Sequence, residues 1–322
     1  MKDFVGPIDY ANELLFHNGT IYFALISGLL YTAILKKKGY AQFFISKLKF
    51  VVLPYLFFTL FYSIFDDKSQ DFFVLHSSLK NYLNVLPRNL IYGKAMFVFW
   101  YISVLFFLYL VTPLLDYLLN IKKWGNLLIA FVIALPLLVR REEVMELYNG
   151  DFLSFHNMIY FTGAYVAGMY IASNLEQSLA WIRKNKVFLM VLVVVTSIAI
   201  VFIKLNKIDR IGVFSVYSTL FYIQKIVLSV LVLLFFKNLG DKQPKWLQPI
   251  AKDAFAIYFL HVFFMGIFIV YLGNLKYFVI IAKFNSLLIG SFYLVFSILF
   301  SMLTVWLFRK IFGKYSRMIV GS

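Results

Sequence analysis

Residues 187–203 read VFLMVLVVVTSIAIVFI, a run of seventeen residues without one charged side chain. A helix that crosses the hydrocarbon core of a bilayer needs about 20 consecutive apolar residues, with a range of about 17–25. Lys184 and Lys186 precede the run and Lys204 follows it, so charged side chains stand at both ends. This stretch therefore predicts a helix that spans a membrane.

The same pattern recurs along the whole chain. It predicts nine spans, at residues 19–35, 50–65, 96–115, 124–139, 155–173, 187–203, 211–236, 254–272 and 286–308. Proline within such runs is compatible with spanning helices, because neighbouring helices satisfy the backbone groups that proline frees. Neither an internal repeat nor a low-complexity linker divides the sequence. We therefore expect a single domain over residues 1–322, an all-α, polytopic transmembrane helix bundle.

The composition excludes the soluble alternatives. Of the 322 residues, 62% are hydrophobic and 14% are charged, whereas soluble domains carry roughly 25% charged residues. A soluble domain of this size needs a polar exterior, so a soluble enzyme, a disordered chain and a fibrous protein are excluded. The net charge of +16 comes from short basic clusters between apolar runs, which is typical of membrane topology rather than of nucleic-acid binding. The absence of Cys excludes thiolate nucleophiles, disulfides and Cys-ligated metals.

Basic residues in the predicted loops indicate the orientation. The loops on one side hold 18 Lys and Arg, and the loops on the other side hold 12. Since cytoplasmic loops are enriched in Lys and Arg, this asymmetry orients a multi-pass membrane protein. The richness in Phe, Lys, Ile and Tyr hints at an AT-rich bacterial genome, so we expect the membrane to be the bacterial inner membrane. Its C-terminus (309–322) should lie in the cytoplasm and residues 1–18 outside. Nine spans with an external N-terminus are also what a ten-helix protein would show without its first helix.

Four short motifs give the chain a resemblance to a known family. They are Phe16-His17 followed by IYFALISGLL (21–30), the pair Lys47 and Lys49 before Pro54-Tyr55, FWYISVLF (99–106), and AIYFLH (256–261). In this order and at this spacing they resemble the membrane acyltransferase family 3. The resemblance implies a ten-helix integral membrane O-acyltransferase. Such enzymes transfer an acyl group, usually acetyl from acetyl-CoA, to a carbohydrate hydroxyl of a surface polysaccharide or a lipid-linked glycan.

The N-terminal region departs from the family pattern. The first helix of the family carries an Arg and, further along, a catalytic His, but residues 1–15 contain no such pair. We therefore expect this sequence to lack that helix, either through a late start or a truncation, or because it is an inactive relative. The role of the first-helix His is vacant in the sequence as printed, which leaves inactivity open.

Two histidines are candidate catalytic residues, because acyl transfer to a hydroxyl needs a base that works near neutral pH. His17 precedes the first predicted span on the outer side, where it could face the carbohydrate acceptor, and its alternative role is that of a helix-entry residue. His261 lies within a predicted span, with Tyr258 on the same helix face, and a structural hydrogen bond is its alternative role. His76 and His156 are predicted to be structural or solvated.

The pair Lys47 and Lys49 is the candidate site for the phosphates of the acyl-CoA donor, since lysine serves as a point charge for phosphate. The family usually has arginine in this cluster, and the alternative is that both lysines are topology signals that face anionic lipid. Trp100, Tyr101 and Tyr258 are candidates to line the substrate cavity or to belong to the interfacial aromatic belt. We expect membrane lipid, acyl-CoA and a carbohydrate acceptor as partners, without nucleic acid or metal.

Two further features of the sequence have both a functional and a structural interpretation. Ser27-Gly28 has no G-x-S-x-G surroundings, so close packing of helices explains it best. Lys225 lies inside a predicted span and is therefore a functional candidate, although snorkelling or a backbone carbonyl partner would explain it equally well. Together with His261 it would suit a proton-coupled carrier. A transporter or flippase for a lipid-linked glycan or small solute is thus the alternative function, although the duplicated half that marks many transporters is absent.

Overall fold

A computed structural model describes residues 10, 13–15, 17–65, 74–121, 124–141, 154–206, 210–211, 214–272 and 286–321. The helices before residue 150 are α1 (Thr20–Leu30, continued by π-helical Tyr31–Leu35 and 3-10 Lys36–Lys38), α2 (Tyr40–Lys47), α3 (Leu53–Tyr62), α4 (Leu79–Tyr92), α5 (Trp100–Leu119) and α6 (Gly125–Ala134). The later helices are α7 (Phe155–Ser173), α8 (Leu175–Lys184), α9 (Lys186–Leu205), α10 (Val216–Leu239), α11 (Leu247–Leu272), α12 (Ser286–Phe312) and α13 (Ser316–Val320). Two strands of two residues each, β1 (Arg210–Ile211) and β2 (Phe214–Ser215), form one antiparallel pair.

Every one of the nine predicted spans contains a helix. Within the described part of the chain, seven helical stretches are long and apolar enough to cross a membrane. The segment Gly125–Leu138, formed by α6 and its 3-10 extension, is a shorter apolar helix. The expected all-α, polytopic fold class is thereby confirmed, and the chain is a multi-pass membrane protein.

The structure also contains helices that the hydropathy pattern does not predict. The amphipathic α4 begins after Ser78, whose side chain accepts a hydrogen bond from the Asn81 amide at 3.3 Å, as a helix N-cap does. The predicted loop 36–49 contains α2, so Lys47 and Lys49 lie on helical backbone and not in a loop. Short helices of this kind have too few consecutive apolar residues to be recognised as membrane spans.

The chain divides into two compact units. Unit 1 comprises the described residues of Met1–Phe43, Val104–Leu147 and Leu153–Gln243, and unit 2 comprises those of Phe44–Ser103 and Pro244–Ser322. Helices α1 and α6 to α10 therefore belong to unit 1, and α3, α4 and α11 to α13 belong to unit 2, while α2 and α5 contribute residues to both. The expectation of one domain over residues 1–322 stays a prediction.

Unit 1 is built around the contact between α1 and α7, which two glycines make possible. A Cβ atom at Gly28 would lie 2.0 Å from the carbonyl oxygen of Tyr165, and one at Gly168 would lie 1.9 Å from that of Leu25. No side chain fits at either place, so the two backbones meet directly, as small residues allow in membrane helices. The expectation that Gly28 serves helix packing is confirmed.

A second part of the unit 1 core fixes α10, which carries Lys225. Buried apolar side chains from four consecutive helices, α7 to α10, form one cluster. Its members are Ile171, Leu179, Ile182, Leu189, Val227, Val230 and Leu234. Since α10 is anchored by this cluster on the residues that follow Lys225, the lysine is held at a defined height in the unit.

Unit 2 is built around aromatic rings. Phe58 stacks on Phe259 with ring centroids 5.0 Å apart, and Phe99 contacts the same ring edge-on at 5.4 Å. Aromatic pairs of this kind contribute about 0.5–1.5 kcal/mol beyond the area that they bury. The Tyr62 hydroxyl donates to the Phe259 carbonyl at 2.8 Å. The rings and this hydrogen bond together fix α3 against α11.

Candidate functional site

The predicted site residues fall in both units. His17 lies in unit 1. The other six lie in unit 2, and they are Lys47, Lys49, Trp100, Tyr101, Tyr258 and His261. The two candidate catalytic histidines therefore belong to different units, and each has its own surroundings.

His17 lies in a turn at the end of a short helical stretch. Residues 13–15 are helical, residues 17–19 form the turn, and α1 follows. The His17 amide donates to the Glu13 carbonyl at 3.0 Å, and Asn18 has a φ of 59°, the left-handed conformation that commonly follows a helix C-terminus. The last carbonyls of a helix have no partner within it, so donors must come from elsewhere.

Lys225 of α10 supplies these donors. Its Nζ donates to the carbonyl oxygens of Leu14 at 2.6 Å and of Leu15 at 3.1 Å. The side chain is 0% exposed, and the ammonium lies 5.7 Å from the ring centroids of Tyr22 and Phe221. A cation at this position stabilises the negative end of the helix dipole and is attracted by the ring faces. Among the roles considered for Lys225, the structure therefore supports the binding of backbone carbonyls.

The imidazole of His17 packs against the same helix, α10. Its ring centroid lies 4.7 Å from that of Phe221 and 5.6 Å from that of Tyr217. The Tyr217 hydroxyl donates to the Glu13 carboxylate, which also forms an ion pair with Lys204. Helix α10 thus holds both the helical end and the histidine. We call residues 13–19, with the side chains of α10 that contact them, the His17 corner.

Two buried cations act electrostatically on the His17 imidazole, namely Lys225 and Arg141. Arg141 follows α6 and is only 5% exposed. Its guanidinium carbon lies 5.9 Å from the ring centroid of Phe161. Positive charge near His17 favours an anionic group at this place.

His261 is held by its own helix, α11. Its Nδ1 lies 3.0 Å from the carbonyl oxygen of Ile257 and 2.8 Å from that of Tyr258. Because a carbonyl can only accept a hydrogen bond, Nδ1 carries the proton in this arrangement, and Nε2 of the neutral ring keeps its lone pair. A structural hydrogen bond is therefore present, and it also orients the ring so that Nε2 is the atom able to accept a proton.

Tyr258 connects α11 to the segment that precedes α5. Its hydroxyl donates to the carbonyl of Val98, two residues before Trp100, and its ring centroid lies 6.1 Å from that of His261. The rings of Trp100 and Tyr101 make an edge contact at 5.6 Å. The structure thus brings the three predicted cavity aromatics and His261 to one region of unit 2.

Lys47 and Lys49 lie where α2 passes into the π-helical turn Leu48–Val52. Lys47 is half-buried, whereas Lys49 is exposed. A third basic residue, Arg317 of α13, joins them. Its guanidinium carbon lies 4.4 Å from the ring centroid of Phe50, and its charge acts on Lys47. The basic group at this place therefore contains an arginine as well as the two predicted lysines.

Sequence reasoning misses two of these contacts. The carbonyl partners of Lys225 lie 210 and 211 residues away in the chain, and sequence patterns do not pair a lysine with a distant backbone carbonyl. The sequence places Arg317 in a basic tail that serves to orient the chain. The sequence gives one indication that this tail packs against the protein, namely its apolar end, 318–320. A fully solvated tail would not need apolar residues there.

Residues 3–306 match the model of acyltransferase family 3, which is described as an acyltransferase domain. The match covers almost the whole chain, includes all seven predicted site residues and ends before Arg317. No curated protein and no solved structure matches the chain significantly.

Proposed function

The chain belongs to acyltransferase family 3, and from this premise we propose that it transfers an acyl group from acyl-CoA to a carbohydrate hydroxyl. The proposed acyl group is acetyl, and the proposed acceptor is a surface polysaccharide or a lipid-linked glycan. Family membership supports an acyltransferase in a membrane. The donor, the acceptor and the location in a bacterial inner membrane are part of the proposal.

The orientation of His261 is the observation that carries the proposal. Its Nδ1 is bonded to two carbonyls of α11, so Nε2 is the atom that can take the proton of an acceptor hydroxyl. The hydroxyl oxygen then attacks the thioester carbonyl, and the new C–O ester bond forms as the C–S bond breaks. The proton passes from the imidazolium to the CoA thiolate, which leaves as the thiol. In this role Tyr258, whose ring lies beside the imidazole, would line the substrate cavity together with Trp100 and Tyr101.

The basic pair would bind the other end of the donor. Lys47 lies fifteen residues before Tyr62 in the continuous helical stretch Tyr40–Tyr62, a length of about 22 Å at 1.5 Å per residue. Tyr62 is bonded to Phe259, two residues from His261. Phosphates at Lys47 and a thioester at His261 would thus be separated along the helix, which suits the elongated pantetheine arm of CoA.

His17 is proposed to act on the acceptor side. The asymmetry of basic residues in the loops supports an outer position for residues 1–18 and a cytoplasmic position for the C-terminus. In the same topology Lys47 and Lys49 lie toward the cytoplasm, where acyl-CoA is found. The cations around His17 favour an acceptor that carries an anionic group, such as a glycan on a phosphate-linked lipid.

Acyl transfer by the purified chain in proteoliposomes tests the proposal. The chain contains no Cys, so a thiol reagent follows CoA release without a protein background. Mass spectrometry follows ester formation on a panel of alkyl mono- and disaccharides. We expect glycoside-dependent CoA release from acetyl-CoA and a matching ester. CoA release without ester, or no turnover with any glycoside, contradicts the proposal.

The alternative of a proton-coupled carrier loses its main argument. It requires Lys225 to work as an ionisable group together with His261. The Lys225 ammonium instead donates to the carbonyls of Leu14 and Leu15. Nothing in the described part of the chain now favours transport over acyl transfer.

A further inference from the structure

The tail that follows α12 is folded against unit 2. Helix α13 packs on α3 and on the π-helical turn Leu48–Val52, and Val320 near its end is 0% exposed. Gly321 closes the tail with a φ of 83°, and a Cβ atom there would lie 2.9 Å from the ring of Phe255 and 3.6 Å from Pro54. A tail that served only to orient the chain would need no such packing, because basic residues act in that role through their number and position.

The packed tail holds Arg317 in a defined place. The guanidinium lies over the ring of Phe50, 4.4 Å from its centroid, and such stacking restricts a side chain that is otherwise mobile. The charge of Arg317 also acts on Lys47. Lys47 immediately precedes the turn Leu48–Val52 on which α13 packs, so the two like charges repel each other and the arrangement gains most when an anion binds to both. Arginine adds a planar, bidentate donor set for phosphate, which lysine does not have.

We propose that Arg317 and Lys47 together bind a phosphate group of the acyl-CoA donor. Arg317 makes the bidentate contact, and Lys47 contributes a point charge. The inference rests on the proposed function and completes its donor site with a residue beyond the family match, which ends at residue 306. The phosphate of an anionic lipid has the same chemistry at a membrane surface, so the test must separate the two sources.

Donors with different numbers of phosphate groups provide the first arm. The KM values of the full chain and of Arg317→Ala are measured in zwitterionic vesicles for acetyl-CoA, acetyl-dephospho-CoA and S-acetylpantetheine. We expect Arg317→Ala to raise the KM for acetyl-CoA about tenfold, as the loss of a charge-assisted hydrogen bond does. The KM for S-acetylpantetheine, which has no phosphate, and the kcat should not change. Arg317→Lys should recover only part of the loss, because it restores the charge without the bidentate geometry.

Lys314→Ala is the matched control. Lys314 lies on the same tail, carries the same charge and is exposed, as Arg317 is, but its Nζ lies over the ring of Tyr315 at 5.3 Å and not over Phe50. This variant should keep the wild-type KM for every donor. An equal rise of the donor KM in both variants would show that only the overall charge of the tail matters, and it would overturn the proposal.

Lipid composition provides the second arm. If Arg317 binds lipid phosphate, Arg317→Ala should leave all donor KM values unchanged in zwitterionic vesicles and alter activity only when anionic lipid is added. That result would also overturn the proposal. Calorimetric titration of CoA into wild-type and Arg317→Ala proteoliposomes gives an independent readout, with an expected loss of affinity of about tenfold.

This titration separates the inference from the proposed function. CoA binding that weakens in Arg317→Ala, in a chain that acylates none of the glycosides, would contradict the proposed acceptor and keep the phosphate site. Acylation with unchanged donor KM and CoA affinity in Arg317→Ala would contradict the phosphate site and keep the proposed function.

Discussion

The two candidate histidines are held in opposite ways. In unit 1, the backbone beside His17 is fixed by Lys225, whose carbonyl partners lie 210 and 211 residues away in the chain. In unit 2, His261 is bonded to carbonyls three and four residues earlier in its own helix. The position of His17 is thus a property of the assembled unit, whereas the orientation of His261 follows from α11 alone.

The cores of the two units differ in a related way. Unit 1 depends on direct backbone contact at Gly28 and Gly168, whereas unit 2 depends on rings such as Phe58 and Phe259. A backbone contact leaves no room for even one added carbon atom, while apolar side chains can adjust to a change in shape. We therefore expect substitutions in the unit 1 core to act in an all-or-none manner and those in the unit 2 core to have graded effects.

The largest effect is expected for Gly168→Ala. The added Cβ would lie 1.9 Å from the Leu25 carbonyl oxygen, so the backbones of α1 and α7 must separate. This should destabilise the chain by about 3 kcal/mol or more, at the upper end of overpacking effects. The yield of monodisperse protein in detergent and its melting temperature measure the loss.

Two matched variants sharpen this prediction. Gly290→Ala in α12 meets no atom within 4 Å, and it should leave stability unchanged or raise it by up to about 1 kcal/mol. Phe259→Leu in the unit 2 core keeps an apolar side chain but loses the ring contacts with Phe58 and Phe99, so it should cost about 1–3 kcal/mol. If Gly168→Ala melts like Gly290→Ala, the contrast between the two cores is wrong.

The next largest effect is expected on the kcat of acyl transfer, in the histidine variants. His261→Ala should lower kcat for acyl transfer by roughly 10²–10⁴, the usual contribution of a positioned base, with little change in the KM for acetyl-CoA. His156→Ala is the control, because His156 is exposed at the start of α7. His17→Ala completes the set. A loss of kcat in His17→Ala with full activity in His261→Ala would move the base to unit 1.

The apolar segments could be predicted from the sequence because apolar length is a local property. The amphipathic α4 and α8 escape the same reasoning, since their charged faces interrupt the apolar runs. At the site, the sequence indicates that Tyr258 and His261 share a helix face. It does not indicate that Lys225 binds the end of another helix or that Arg317 reaches Phe50. Both contacts join distant parts of the chain and depend on packing that single residues do not reveal.

Lys225→Met tests how the His17 corner is held. Methionine keeps most of the apolar stem but leaves the carbonyls of Leu14 and Leu15 without their donor. An unsatisfied buried acceptor costs about 1–3 kcal/mol, so we expect a loss of stability of this size. Lys237→Met on the same helix is the control. The Lys237 side chain is 53% exposed and that of its ion-pair partner, Glu176, is 83% exposed, so this substitution should have little effect on stability.

The same variant separates the two histidines spectroscopically. The chain has only four His residues, so ¹⁵N-histidine NMR can resolve each imidazole. In Lys225→Met the His17 signals should move, while those of His261 should keep the pattern of an Nδ1-protonated ring. If the His261 signals move as much as those of His17, the two sites are not independently held.

The smallest effects are expected for Lys47→Ala and Lys49→Ala, and they test whether the acyl-CoA donor binds to unit 2. Lys47 is half-buried and interacts with Arg317, so Lys47→Ala should raise the KM for acetyl-CoA about tenfold. Lys49 is exposed, and solvent screens an exposed charge. Lys49→Ala should therefore raise this KM by less than about threefold.

Lys36→Ala in unit 1 is the control for the lysine pair. Because Lys36 forms an ion pair with Asp116 at 2.7 Å, this substitution should leave the KM for acetyl-CoA unchanged. Equal effects of all three substitutions would indicate a general field of positive charge at this membrane surface. Wild-type donor kinetics in both Lys47→Ala and Lys49→Ala would reduce the two lysines to topology signals. A ranking of Lys47 above Lys49, with no effect of Lys36, is expected only if phosphate binds where α2 meets the turn Leu48–Val52.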